Sequence, residues 1–272
     1  MNKKNRDFIA TVKNFYTDYG RYDLPWRKTT DPYKIVVSEI MLQQTQVARV
    51  IPKYQDFLKA FPTTTVLAKA SLGEVLMLWQ GLGYNRRAKM LHLCAQMIVS
   101  EYKGKWPKDI ATLQKLPGIG AYTASAIGAF AYSIPSVLIE TNVRTVYIHH
   151  FFKDNRDVTD AQLLPLIAAT LDQDNPRDWY YALMDYGSHL KQTIGNKNKQ
   201  SKHYTIQSKF AGSDRQIRGA IIRSVSKENL GQTLSEIKKV NPTLDAKRFA
   251  VQIKNLMKEE LIVKIGQRYK LP

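Results

Sequence analysis

Leu116-Pro117-Gly118-Ile119-Gly120-Ala121-Tyr122 joins two short helical segments predicted at Asp109–Lys115 and Tyr122–Tyr132. Glycine has no side chain to keep a ligand away from the backbone, so a Pro-Gly-x-Gly turn permits close approach. The amides that open the following helix can point at a phosphate oxygen. The carbonyls of such a turn also suit a monovalent cation. An ordinary interhelix turn is the competing reading.

Downstream, Ile139-Glu140-Thr141-Asn142-Val143 supplies an acid where a helix begins. A carboxylate there can stabilise positive charge that builds on a sugar as a glycosidic bond breaks. Glu140 and Asn142 are therefore catalytic candidates, and an N-cap role for Glu140 or Thr141 is the alternative. Upstream, Ser38-Glu39-Ile40-Met41-Leu42-Gln43-Gln44-Thr45-Gln46-Val47 puts a carboxylate among apolar residues and base-reading amides. A buried acid is costly, and desolvation raises its pKa. Such a group can protonate a leaving base near neutral pH. A solvated glutamate paired with Lys34 or Arg49 is the competing reading.

Further pieces fit a nucleic-acid substrate. Reaching a glycosidic bond requires base flipping, and an inserted side chain often holds the gap open. Gly81-Leu82-Gly83-Tyr84 offers an apolar wedge and an aromatic ring, with Arg86 and Arg87 following for phosphates. Gln43, Gln44 and Thr45 suit base edges. Leu24-Pro25-Trp26-Arg27 offers an indole beside a guanidinium, although Trp26 fits a core equally well and Arg27 a surface ion pair. Tyr122 cannot form a Schiff base as a lysine would, which favours water as nucleophile.

The composition agrees. The chain has 272 residues, 44% of them hydrophobic, and a formal net charge of +18. Basic residues are spread along the whole chain, which favours a polyanionic partner. The single cysteine, Cys94, permits no intramolecular disulfide and no thiolate cluster; it reads as a core residue. No metal-ligand spacing is present. The N-terminus lacks the apolar core of a signal peptide, and no apolar run approaches bilayer length. A cytoplasmic, nucleoid-associated protein is expected.

Helical signals dominate. Asp31-Pro32 predicts a helix through about Val50, and Pro52 another through Ala60. Further helices are predicted at Leu72–Gln80, Asn85–Tyr102, Asn142–Phe152, Asp160–Leu171 and Pro176–Leu190, where Asn175-Pro176 repeats the cap-then-proline pattern. Residues 191–208 read as a basic linker. Beyond it, Asp214–Ser226, Thr233–Val240 and Leu244–Glu259 predict helices, and Gly266-Gln267 a hairpin turn. Three helices and a terminal hairpin look like a winged helix, with Lys247, Arg248 and Lys254 on its third helix.

The segments Leu24–Arg27, Asp31–Val47, Gly81–Tyr84, Leu116–Ala124 and Glu140–Val146 resemble the helix-hairpin-helix base-excision glycosylases. Within them the likeness is to the MutY-type adenine DNA glycosylases, over about residues 20–190. The resemblance implies an all-α, two-lobed core at residues 1–190, with the winged-helix module at 209–272. It implies that Glu39 protonates adenine, that Gln44, Thr45, Leu82 and Tyr84 enter the stack or touch the opposite base, and that Tyr122 lies in the catalytic pocket. Arg27 and Asp185 match positions lining the adenine pocket, and Gly118 and Gly120 the phosphate-gripping hairpin.

This chain departs from the family pattern in three ways. Glu140 and Thr141 stand where the family has aspartate and glycine; the charge is kept, so activity is expected, slower or differently tuned. Lys191 and a polar tract replace the four cluster-binding cysteines, which excludes an iron–sulfur cluster on ligand count. The usual domain that recognises 8-oxoguanine is replaced by the winged helix. The expected activity is hydrolysis of adenine mispaired with 8-oxoguanine or guanine in double-stranded DNA, by a monomer, leaving an abasic site. The alternatives are the same chemistry on thymine or uracil opposite guanine, a weakened mispair binder, or a transcription regulator.

Overall fold

A computed structural model of the chain describes residues 1–153, 155–227, 230–241 and 245–272. The helices run α1 (Lys3–Tyr19), α2 (Pro32–Leu42), α3 (Val47–Ala60), α4 (Thr64–Lys69), α5 (Leu72–Trp79), α6 (Arg86–Ser100), α7 (Ile110–Leu113) and α8 (Ala121–Tyr132). They continue with α9 (Thr141–Phe151), α10 (Asp160–Thr170), α11 (Pro176–Thr193), α12 (Asp214–Val225), α13 (Leu234–Lys239) and α14 (Ala246–Lys258). Strands β1 (Gln232–Thr233), β2 (Val263–Ile265) and β3 (Arg268–Lys270) form an antiparallel sheet in the order β1-β3-β2. Among the described residues no helix is long and apolar enough to cross a membrane. The helical fold class expected from the sequence is the one observed.

The chain divides into two compact units. The first comprises Met1–Val36, Pro107–Lys115 and Ile119–Ile206. Its core is aromatic. Phe8 of α1 meets the rings of Tyr147, Phe151 and Trp179 at 5.0, 5.1 and 6.0 Å, and Phe130 stacks on Tyr181 at 4.6 Å. Gly187 on α11 faces Asn142 so closely that a Cβ there would lie 2.5 Å from the Asn142 carbonyl oxygen. Only glycine lets α11 approach the start of α9 in this way.

The second unit comprises Val37–Trp106, Leu116–Gly118 and Gln207–Pro272. Fully buried Phe57 and Trp79 centre its core, their rings edge-on at 6.0 Å. Ser71 and Glu74 form a capping box that starts α5. Cys94 is buried on α6, and burial pushes its thiol up to about 12, as a core cysteine requires. The strand between α12 and α13 and the β2–β3 wing after α14 give the winged-helix topology. This module is tied to α5 and α6. Gly73 N donates to the Pro272 carbonyl at 3.1 Å, Gln80 to Ser226 at 2.7 Å, and Lys89 pairs with Glu260 at 2.6 Å.

Four expectations need correction. Helix α2 stops at Leu42, and residues 43–46 form a turn before α3, because Gln44 takes a left-handed backbone (φ 55°). Pro52 consequently lies inside α3 and does not begin a helix. Asn175 makes no side-chain cap to α11. The tract expected as a linker is packed in part. Helix α11 continues to Thr193, Asn198 and Ser201 are buried, and Val158 N donates to the Gln200 carbonyl at 2.9 Å. The start predicted at Leu244 lies outside the described residues; α14 begins at Ala246.

Candidate active site and nucleic-acid interface

In the second unit, α2 carries Glu39 with 8% of its surface exposed, between Ser38 at 1% and Ile40 at 2%. The reading of Glu39 as a solvated surface acid therefore fails. The C-terminal carbonyls of α2, which a helix leaves open, are collected by Arg87. Its guanidinium donates to Ile40 O at 2.7 Å, Met41 O at 3.0 Å and Gln43 O at 2.6 Å. It also donates to Thr45 Oγ1, Leu82 O and Gly83 O at 3.1, 3.1 and 3.2 Å. Burial pulls its pKa down to about 10. Arg87 is thus an internal clamp, not the phosphate ligand its sequence position suggests, while Arg86 is exposed.

The clamp fixes the loops around Gln43–Thr45 and Leu82–Gly83. Gln44 is exposed, and Gln43, Gln44, Tyr84, Arg86 and Gly118 line one cleft. Thr45 and Leu82 line a neighbouring one. Leu82 is 4% exposed, so it is packed inside its loop and does not project as a wedge. Gly118 has φ 77°, and a Cβ there would lie 2.7 Å from Met90 Cβ. Gly118→Ala is expected to cost about 1–3 kcal/mol through backbone strain and crowding, read as a lower Tm. On the winged helix, Lys247 and Lys254 are exposed. Arg248 is committed to Asp214 at 2.6 Å and to the Gly212 carbonyl at 2.7 Å.

In the first unit, Gly120 takes the N-cap position of α8, and the space beside its Cα is open. Tyr122, in the first turn of α8, packs partly buried against that unit's core. Glu140 is the N-cap of α9: its Oε1 accepts from Asn142 N at 2.6 Å and Val143 N at 2.8 Å. Oε2 accepts from Asn142 Nδ2 at 3.3 Å, and Lys191 Nζ donates to Asn142 Oδ1 at 2.7 Å. Burial raises the Glu140 pKa, against the pull of the Val143 amide, Lys191, the Asn142 amide and Arg144. Lys191 thus supports, through Asn142, the residue expected to carry charge; its role was not legible in the sequence.

Asp185 is buried and its oxygens are heavily subscribed. Arg27 donates to both, at 2.7 and 2.8 Å, and Arg21 adds its backbone N at 2.8 Å and Nε at 2.6 Å. Arg27 also lies over the Tyr181 ring at 4.3 Å. Arg177 donates to the Arg27 and Thr29 carbonyls at 2.8 and 2.7 Å and to Phe130 O. Trp26 is 4% exposed beside this cluster in sequence and takes its core reading. Sequence reasoning missed Arg21 and Arg177, since their partners are distant in the chain.

Among the described residues no group of three or more His, Cys, Asp or Glu side chains is placed to hold a metal. An iron–sulfur cluster does not fit the donor set: the one cysteine, Cys94, is buried on α6, and α11 runs on through Lys191.

Residues 37–167 match the family model described as HhH-GPD superfamily base excision DNA repair protein. The adenine DNA glycosylase of Mycolicibacterium smegmatis is 38% identical over 223 residues, covering 75% of this chain and 76% of that one. That of Buchnera aphidicola is 36% identical over 185 residues, covering 66% of this chain and 52% of that one. Among solved structures, a thermostable thymine-DNA glycosylase superposes with a TM-score of 0.61 at 27% identity, covering 69% of this chain and 87% of that one.

Proposed function

The chain belongs to the adenine DNA glycosylases of the HhH-GPD superfamily of base excision DNA repair proteins, and we propose that it hydrolyses the N-glycosidic bond of adenine mispaired with 8-oxoguanine or guanine in double-stranded DNA. It acts as a monomer on nucleoid DNA and leaves an abasic site without cutting the strand. The burial of Glu39 on α2 carries this reading. An acid withheld from water can keep its proton near neutral pH and give it to a ring nitrogen of the extruded adenine, making the base a good leaving group.

Positive charge then develops on the deoxyribose. Glu140, held by two backbone amides and steadied through Asn142, supplies the opposing charge. The added methylene relative to the family's aspartate does not prevent Glu140 from capping α9. Water completes the reaction, because Tyr122 stands where a lysine would form a Schiff base.

The charge state of Glu140 gives a pH prediction. Only the ionised carboxylate opposes the sugar cation. Its pKa is raised by burial, so the acid limb of the single-turnover rate should lie above the usual carboxylate range. Lys191 pulls that pKa down, so Lys191→Met should move the limb to higher pH, and Lys191→Arg should move it less. An unmoved limb in Lys191→Met would rule out this coupling.

The reaction is tested with labelled duplexes carrying adenine opposite 8-oxoguanine, adenine opposite guanine, thymine opposite guanine and uracil opposite guanine, followed by alkali. Alkali-dependent cleavage confined to adenine strands is expected. Cleavage confined to thymine or uracil strands would transfer the chemistry to the substrate of the thymine-DNA glycosylase neighbour. Tight binding without any product would mark a mispair binder.

A further inference from the structure

We infer that the edge of the winged-helix module, from Gln207 to Arg215, walls the site for the purine that faces the excised adenine, and that Gln207 and Arg215 set the preference for that purine. The inference rests on the glycosylase reading above. It starts from strain. Gln44 and Tyr84 are non-glycine residues with left-handed backbones, φ 55° and 46°. That conformation is costly and persists only where the surroundings impose it.

Here the surroundings include the module. Gln207 Nε2 donates to Tyr84 OH at 2.6 Å and to Gln44 Oε1 at 3.3 Å. Arg215 Nη1 donates to the same Tyr84 hydroxyl at 3.1 Å, and its guanidinium lies 5.3 Å from the Tyr84 ring centre. Arg215 is itself held by Ser208. Two recognition side chains are thus fixed by two residues more than a hundred positions away in sequence, inside one compact unit.

The cluster borders a cleft of about 590 Å³, in the size range of small-molecule sites. Tyr84 and Met90 give it aromatic and apolar wall, Gln43 and Gln44 give amides, and Arg86 and Arg215 give guanidinium groups. Among the described residues, no hydrogen bond or ion pair engages the exposed Arg86 side chain, which suits it to the DNA backbone. Stacking surface beside amide and guanidinium donors suits a purine rich in acceptor oxygens: guanine presents O6 and N7, and its 8-oxo form O6 and O8 around a protonated N7, whereas adenine puts an amine donor beside N7. Gln207 and Arg215 act as positioning residues: they hold Tyr84 and Gln44 against that base.

The test is equilibrium binding, by fluorescence anisotropy, to duplexes that differ only in the base opposite adenine: 8-oxoguanine, guanine, cytosine or an abasic analogue. The full chain is compared with Gln207→Ala, Arg215→Ala and Tyr84→Phe. The last keeps the ring and deletes the hydroxyl that both positioning residues hold. The expected result is a purine preference in the parent protein that shrinks by about tenfold in Arg215→Ala. Tyr84→Phe should lose a similar share, and Tyr84→Phe combined with Arg215→Ala little more than either alone. A uniform loss of affinity across all duplexes, or an intact preference in all three single variants, would overturn the inference. Adenine release is scored in parallel. Its absence from the parent protein would defeat the glycosylase reading, while the binding preference still decides this one.

Discussion

Glu39→Gln is expected to cripple adenine release: single-turnover excision opposite 8-oxoguanine should fall by about a thousandfold, within the range general acid catalysis supplies. Glutamine matches glutamate in size and removes only the titratable oxygen, so the packing around the 8%-exposed side chain is preserved. A thousandfold is about 4 kcal/mol of barrier, which a change in packing on α2 could also cause. Thermal unfolding separates the two causes. A proton-transfer role predicts an unchanged or higher Tm, since an ionisable group leaves a poorly solvated position. It also predicts unchanged affinity for duplex DNA. A variant that unfolds several degrees earlier, or one that excises adenine at the parental rate, would remove Glu39 from the chemistry.

Glu140 illustrates how two competing readings coincide. N-cap and charge donor were alternatives on sequence, yet the structure gives the cap without removing the charge. The amides of Asn142 and Val143 that fix Oε1 also direct positive dipole at the carboxylate. Because burial raises its pKa while Lys191 and Arg144 lower it, the residue sits where neighbours decide its protonation. A helix start is thus a suitable mount for a catalytic carboxylate.

What was legible in the sequence was local. Pro-Gly-x-Gly announced a tight turn, which takes positive φ at Gly118, and the Gly266 turn between short strands announced the wing. Glu39 stood out because its neighbours Val37, Ile40 and Met41 are apolar, and they are buried. What escaped was set by partners remote in the chain. The run Gln43-Gln44-Thr45 reads as a continuation of α2. It turns because Arg87 gathers the carbonyls that another helical turn would have used. Helix α1 went unread because its buried apolar contacts reduce to Phe8 and Val12 within a polar stretch. The basic tract after α11 reads as solvated linker, yet Asn198 and Ser201 are buried and Ser201 bridges to Val158.

Asp185→Ala is expected to destabilise the protein by about 3–5 kcal/mol, the usual cost of removing one partner from a buried ion pair. The side chains of Arg27 and Asp185 are 5% and 2% exposed, so the abandoned guanidinium cannot recover its hydration. Deleting both charges should cost far less: Arg27→Met with Asp185→Leu is expected to recover most of the loss. The pH dependence follows from the direction of the Asp185 shift. Burial alone would raise its pKa, but the hydrogen bonds and charge of Arg27, with those of Arg21, hold it below the ordinary value of 3.8. A depressed folded pKa contributes stability that is present above the unfolded value and lost as pH falls through the folded one. The parent protein should therefore lose stability below about pH 4, and Asp185→Ala should lose less over that range. Urea unfolding at neutral and acid pH measures both quantities. The resemblance places Arg27 and Asp185 at the adenine pocket, whereas their mutual bonds make them a brace between the turn at Pro25–Lys28 and α11. If Asp185→Ala unfolds like the parent protein yet excises adenine poorly, the pocket role stands and the brace does not. If stability collapses and the double variant restores it, the brace is the dominant role.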